Sequence, residues 1–180
     1  MARVRWFDIL FEPIFSFGYP IPKIAFYPIF IFVFGLGDMS KIALVFLECV
    51  YPITVQTYFG MRGAERVLVW AARNMGAGPA DLFWRVLVPS AAPSIFSGIR
   101  IALPLAFIVT LITEIIGESR GLGYFVTYQS ASYEYARAMA AFLVIGLIGF
   151  GFDRLLVLLR RRLIHWQKET DAFSSAADRA

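Results

Sequence analysis

The sequence predicts an all-α fold, a polytopic membrane bundle of about four spans with a helical loop outside the bilayer, and three observations predict it. Hydrophobic residues make up 59% of the chain and charged residues 17%, against about 25% charged in a water-soluble domain. Mean hydropathy is +0.67, so the chain carries more apolar surface than an interior of this size can hide, and the excess must face lipid. The apolar residues also fall into runs of near-spanning length, and the basic residues flank those runs instead of forming one solvated stripe. The formal charge of +4 therefore marks topology, and nucleic acid is not an expected partner.

The first apolar segment runs from about Ile24 to Leu36, after Pro20, Pro22 and Lys23 and before Gly37-Asp38. It is short, since roughly 20 residues are needed to cross about 30 Å of hydrocarbon. Continuation through Ile14 to Pro22 would make a helix of sufficient length, bent where Pro28 removes a backbone donor. The second segment, Ile42 to Phe59, is long enough to span although it contains Glu48 and Pro52.

Composition changes between Gly60 and Pro93, where Arg62, Glu65, Arg66, Arg73, Asp81 and Arg85 appear among helix formers; this reads as a loop with helices outside the bilayer. The third span is Ser94 to Gly117, with Pro93 in its first turn, where proline is tolerated. Gly98, Ala102 and Ala106 recur every four residues and put small side chains on one face, where two backbones can approach closely in lipid.

A polar stretch follows from Glu118 to Arg137. The fourth span is Ala138 to Phe152, extended by Leu155 to Leu159 and closed by Arg160-Arg161-Arg162, with Asp153-Arg154 as the point where the helix leaves the bilayer. Residues 1–169 form the membrane domain, and the small, polar tail from Thr170 to Ala180 is expected to be disordered.

The positive-inside rule sets orientation. The Gly60 to Pro93 loop holds Arg62, Arg66, Arg73 and Arg85, the triple arginine lies at the far end, and Arg3, Arg5 and Lys23 precede the first segment. Both termini and the middle loop are thus expected in the cytoplasm. Cys49 is the one cysteine, which excludes an intrachain disulfide framework. No cleaved signal is visible at the N-terminus, because charges and Pro13 interrupt it.

The middle loop carries the functional signal. It reads Trp70-Ala71-Ala72-Arg73-Asn74-Met75-Gly76-Ala77-Gly78-Pro79-Ala80-Asp81-Leu82-Phe83-Trp84-Arg85-Val86-Leu87-Val88-Pro89. The first helix ends at Gly76, where glycine takes the left-handed conformation, and a second begins at Pro79, with Asp81 favourably placed in its first turn. Pro89 is expected to end that helix. The result is a helix–turn–helix whose exposed side mixes arginine with Leu82, Phe83 and Trp84, a surface suited to a protein partner.

This stretch resembles the EAA signature of bacterial ABC-importer permeases: Glu-Ala-Ala, three residues, Gly, nine residues, then Ile-x-Leu-Pro. Ala71, Ala72, Gly76 and Pro89 match at that spacing, Val86 and Val88 replace the usual aliphatics, and Trp70 stands where the family often has Glu. Pro20-Ile21-Pro22, Phe34-Gly35-Leu36-Gly37, Ser40-Lys41, Gly121-Leu122-Gly123-Tyr124 and Asp153-Arg154-Leu155-Leu156 resemble the nitrate/sulfonate/taurine subgroup.

The resemblance implies a MetI-like permease fold in the inner membrane and a coupling loop, here Ala71, Ala72, Gly76, Ala80 and Pro89, that docks on a separate cytoplasmic ATPase. It further implies a second permease copy, an external substrate-binding protein and a small solute of nitrate, sulfonate, taurine or pyrimidine type. Members of the subgroup carry about two more helices before the Pro-x-Pro segment, so a truncated start is expected here. A non-transporting membrane scaffold using the same loop is the alternative.

No cofactor, metal site or enzymatic centre is expected. There is no Gly-x-x-x-x-Gly-Lys-Ser/Thr loop, so ATP hydrolysis belongs to a partner chain. His165 is the one histidine, too few for a multi-histidine metal site; it reads as a surface residue. Glu48, Arg100 and Glu114 lie in apolar spans, where ionisable groups are costly. Glu48 and Arg100 are expected near the cytoplasmic interface, snorkelling. Glu114, near the outer end, either lines the exit of a pathway or caps an outer hairpin. Gly121-Leu122-Gly123 is a turn signal, and Phe26, Tyr27, Phe30, Phe32 and Phe34 form lipid-facing and packing surface.

Overall fold

The computed structural model describes residues 18, 21–117 and 119–164. Within them lie six helices: α1 (Lys23–Phe34), α2 (Asp38–Arg62), α3 (Arg66–Asn74), α4 (Pro79–Gly117), α5 (Leu122–Ala131) and α6 (Tyr135–Leu163). The tail from Thr170 and His165 fall outside the described residues, as does nearly all of the expected extension from Ile14.

Three helices are long and apolar enough to cross a membrane: α2 with 25 residues, α4 with 39 and α6 with 29. At 1.5 Å per residue these reach about 37, 58 and 43 Å. The fourth expected span is the shorter apolar helix α1, which begins as a 3-10 turn over Lys23–Phe26 and becomes α-helical at Tyr27. Pro28 lies in the first α-turn, where its missing N–H breaks no bond, so the change of helix type occurs there. Gly35 and Gly37, at φ +79° and +137°, end α1 and turn the chain into α2. The Ser40 hydroxyl bonds to the Gly37 carbonyl oxygen at 2.9 Å and steadies that corner.

The most extensive packing joins α2 and α4, which run antiparallel. Small residues set their separation. A Cβ on Gly60 would meet the Ser94 Cβ at 2.6 Å, and one on Gly98 would lie 3.0 Å from the Ile53 Cα and 3.1 Å from the Pro52 carbonyl oxygen. Further along, the Cys49 thiol faces the Ala102 carbonyl oxygen at 3.7 Å, and Leu44, Val109 and Tyr27 form a buried cluster binding α1 to the same seam. Of the stripe expected from Gly98, Ala102 and Ala106, the first two lie against α2, and Ala106 is half-buried.

Two expected boundaries are corrected. Pro89 does not end a short helix and Pro93 does not begin a new one; both lie within α4. The helix passes them because residues Leu82–Leu87 form a π-helical segment, with the Val88 N–H bonded to the Phe83 carbonyl oxygen. That wider turn gives the Pro89 ring room against the preceding carbonyls, and the Ser90 hydroxyl takes up the Val86 carbonyl oxygen at 2.6 Å. Helix α6 runs through Asp153-Arg154 and on to Leu163, in line with the expected extension to the triple arginine.

The polar stretch after α4 is not simple loop. Helix α5 fills it, packed against both α4 and α6. It ends with Tyr133 in the left-handed region at φ 60°, the Glu134 N–H bonding to the Gln129 carbonyl oxygen and the Tyr133 N–H to that of Ser130.

Candidate functional site at the elbow between α3 and α4

Helix α3 ends in a Schellman closure built from the residues singled out in the sequence. The Ala77 N–H bonds to the Ala72 carbonyl oxygen and the Gly76 N–H to that of Arg73, each at 3.0 Å. The Met75 N–H bonds to the Ala71 carbonyl oxygen at 3.0 Å. Gly76 sits at φ +83°, a conformation that costs an L-residue about 1–2 kcal/mol. The spacing from Ala72 to Gly76 is the spacing of this closure, in which glycine follows the third-from-last helical carbonyl by four positions.

Pro79 then starts α4 at a position whose N–H would be unpaired in any case, with Gly78 as the N-cap. Asp81 in that first turn favours the helix dipole and pairs with Arg85 at 3.2 Å. Val69 of α3 is buried against Leu82 and Leu87 of α4 and Ala64 of the preceding link, with Ala72 and Val86 alongside. The π-helical ladder explains this contact, because it brings residues five apart, Leu82 and Leu87, close to one face.

The structure therefore brings Ala71, Ala72 and Gly76 together in one turn. Ala71 and Ala72 are half-buried, whereas Gly76 and Ala80 are exposed. Pro89 stands apart, half-buried in α4 beyond the π-helical turn. The outer surface of the elbow is apolar and basic. Trp70, Met75 and Trp84 are 64%, 84% and 68% exposed, the Phe83 and Trp84 rings meet edge to face at 5.2 Å, and Arg66, Arg73 and Arg85 stand among them. Leu82, expected on that surface, is buried instead.

The ionisable residues of the spans have different fates. Glu114 accepts a hydrogen bond from the Gly123 N–H at 2.8 Å, which satisfies an orphan donor at the start of α5. Gly121, at φ +110°, has no Cβ because the Glu114 carboxyl group fills that space. This contact has the geometry of a cap.

The Arg100 Nε donates to Asp153 Oδ1 at 3.0 Å, tying α4 to α6. Asp153 lies seven residues before Arg160, about 10 Å inward of the arginine triplet. The pair closes one end of a groove of about 460 Å³ between α4 and α6, walled by Leu103, Phe107, Leu111, Ile145 and Gly149. Glu48 lies ten residues, about 15 Å, from the start of α2 at Asp38. Among the described residues no cluster of metal-ligating side chains occurs.

The fold and the site define a helical protein with three candidate membrane spans and an exposed elbow at the start of the longest of them. The family model described as "Binding-protein-dependent transport system inner membrane component" matches residues 1–165, and the chain belongs to that family. It is 34% identical over 162 residues to the taurine transport system permease protein TauC of Escherichia coli (strain K12), covering 89% of this chain and 58% of that protein. The formylaminopyrimidine transport permease protein ThiX of Halalkalibacterium halodurans is 36% identical over 149 residues, 83% of this chain and 60% of the relative. The putative aliphatic sulfonates transport permease protein SsuC of Escherichia coli (strain K12) is 32% identical over 162 residues, 90% and 62% respectively. The chain spans about three-fifths of the length of these relatives.

Proposed function

We propose that this chain forms the solute-conducting part of an ABC importer and that a separate ATPase moves it by grasping the elbow between α3 and α4. The single observation that supports this most is continuity: α4 runs unbroken from Pro79 at the elbow to Gly117. A displacement at its first turn is carried along about 58 Å of helix, and α2 follows because the seam at Gly60 and Gly98 leaves no slack.

The exposed Trp70, Met75 and Trp84 offer anchors for a groove on the ATPase, and the surrounding arginines suit an acidic rim. ATP binding and hydrolysis on the partner rock the spans between two packed states. The working assembly includes a second copy of the permease, two ATPase subunits and an external binding protein that supplies most of the selectivity. It sits in a bacterial inner membrane, with the elbow and both termini of this chain on the cytoplasmic side. The names of the relatives point to a small solute of the taurine, sulfonate or formylaminopyrimidine kind. Glu114 is assigned to holding the outer corner between α4 and α5 rather than to lining the path.

The test is copurification with the ATPase encoded beside this chain, together with ATP-dependent uptake, for wild type, Gly76→Val and Trp84→Ala. Both variants should insert in the membrane but lose the ATPase. Undiminished complex formation with intact uptake would refute the elbow's role, and complex formation without any uptake in the wild type would favour a non-transporting scaffold.

A further inference from the structure

Helix α6 is apolar on every side and almost bare: no residue of its most hydrophobic 18-residue window is buried. Toward its C-terminus Leu155, Leu158, Leu159 and Leu163 are 51%, 59%, 42% and 56% exposed. Arg160, Arg161 and Arg162 stand at this end, with Arg160 half-buried and Arg161 and Arg162 exposed. None of the three has an acidic partner among the described residues; the last acid before them, Asp153, is held by Arg100. The end of α6 is therefore an apolar rod capped by concentrated positive charge that no acid among the described residues pairs.

We propose that this end of α6 binds anionic phospholipids, with the arginines holding headgroup phosphates while the leucines below them contact the acyl chains. Geometry selects a lipid over a protein partner. Successive helical residues are about 100° apart, so the three arginines fan across about 200° of the circumference, and Arg162 lies above the face of Leu155 and Leu158. A protein surface docks on one side of a helix and meets at most two such side chains, whereas headgroups surround it. The helix dipole favours a cation in the last turn but gives no reason for three, or for the exposed leucines beside them. Arginine is suited to phosphate because its planar fork donates in pairs. The collar is independent of the elbow, and its test does not involve the ATPase.

The experiment measures phospholipid retained by the full chain after purification in mild detergent from membranes containing phosphatidylethanolamine and phosphatidylglycerol, by mass spectrometry. Wild type is expected to retain phosphatidylglycerol above its share of the membrane. In the Arg160→Gln, Arg161→Gln, Arg162→Gln variant the enrichment should fall at least about fivefold, the effect of one such charge at a lipid surface. The corresponding lysine variant should keep most of it, and Arg62→Gln, Arg66→Gln, Arg73→Gln should leave it unchanged. If the glutamine variant does not accumulate, the wild type's enrichment must still decline as salt rises from about 0.1 to 1 M, where screening shortens to about 3 Å. Absence of enrichment in the wild type, insensitivity to salt, or equal loss in the elbow variant would overturn the proposal. So would efficient disulfide formation between copies carrying Leu158→Cys and Arg162→Cys, which would show that a second copy covers this face.

Discussion

The Glu114 carboxylate and the Gly123 N–H, nine residues apart in sequence, are hydrogen-bonded at 2.8 Å, so a side chain from one helix caps the start of the next. The bond joins the long helix α4 to the short helix α5 at their shared corner. Gly121 and Gly123 make the arrangement possible, since a Cβ at either would collide with Glu114 or with the Leu111 carbonyl oxygen.

Replacement of Glu114 by Ala should therefore free the first turn of α5, at a cost of about 1–2 kcal/mol, as for loss of a helix cap. Amide hydrogen exchange in detergent micelles should rise at Gly123 to Phe125 and stay unchanged in α2. Glu114→Gln, which keeps an acceptor oxygen, should show a smaller rise. Equal protection in all three proteins would show that the cap is dispensable.

The seam between α2 and α4 predicts a sharp contrast among glycines. Gly98→Val places carbon against the Ile53 and Pro52 backbone, and overpacking of this kind costs about 1–3 kcal/mol. Gly146→Val in α6 meets nothing within 4 Å. Thermal unfolding in detergent should show a clear loss for the first and little change for the second; matching midpoints would mean the helices part easily.

Arg100 and Asp153 should behave as a unit. Removing either leaves the other charge stranded in the apolar layer, while removing both does not, so a double-mutant cycle with alanine should give a favourable coupling of about 1 kcal/mol. The charge-swapped protein, Arg100→Asp with Asp153→Arg, should recover much of the stability lost by either single reversal. Additive losses in the cycle would place the two groups outside each other's reach.

Tyr133 and Gly76 occupy the same position in two helix closures, one with the residue the geometry favours and one without. Tyr133→Gly should relieve about 1 kcal/mol of left-handed strain and raise the unfolding temperature. Gly76→Ala should introduce a similar cost and lower it. Opposite signs in one thermal-shift experiment are the expected result.

Much of this organisation is legible in the residues alone. The three long apolar runs and Gly76 followed by Pro79 each state a local requirement, namely a helix of spanning length and an elbow, and the structure meets both. The prolines were not legible in the same way. Pro89 reads as a stop because proline breaks an α-helical ladder, but the Leu82–Leu87 segment had already widened to an i→i+5 pattern that accepts it, and no local signal marks that change. The buried side of the elbow was likewise misjudged at Leu82, since α-helical periodicity does not describe a π-helical turn.

The sequence by itself determined which segments are greasy, how long they are and where the chain must turn, because these follow from residue-by-residue cost in lipid and from backbone conformation. Only the tertiary structure decided which charge meets which: Arg100 with Asp153 across two helices, and Glu114 with the Gly123 N–H in the first turn of α5. The physical reason is that hydrophobicity and turn chemistry are properties of a stretch of chain, whereas the partner of a charged group depends on which helices cross and in what register. The close approach of α2 and α4 at Gly60 and Gly98 sets the register of that one pair.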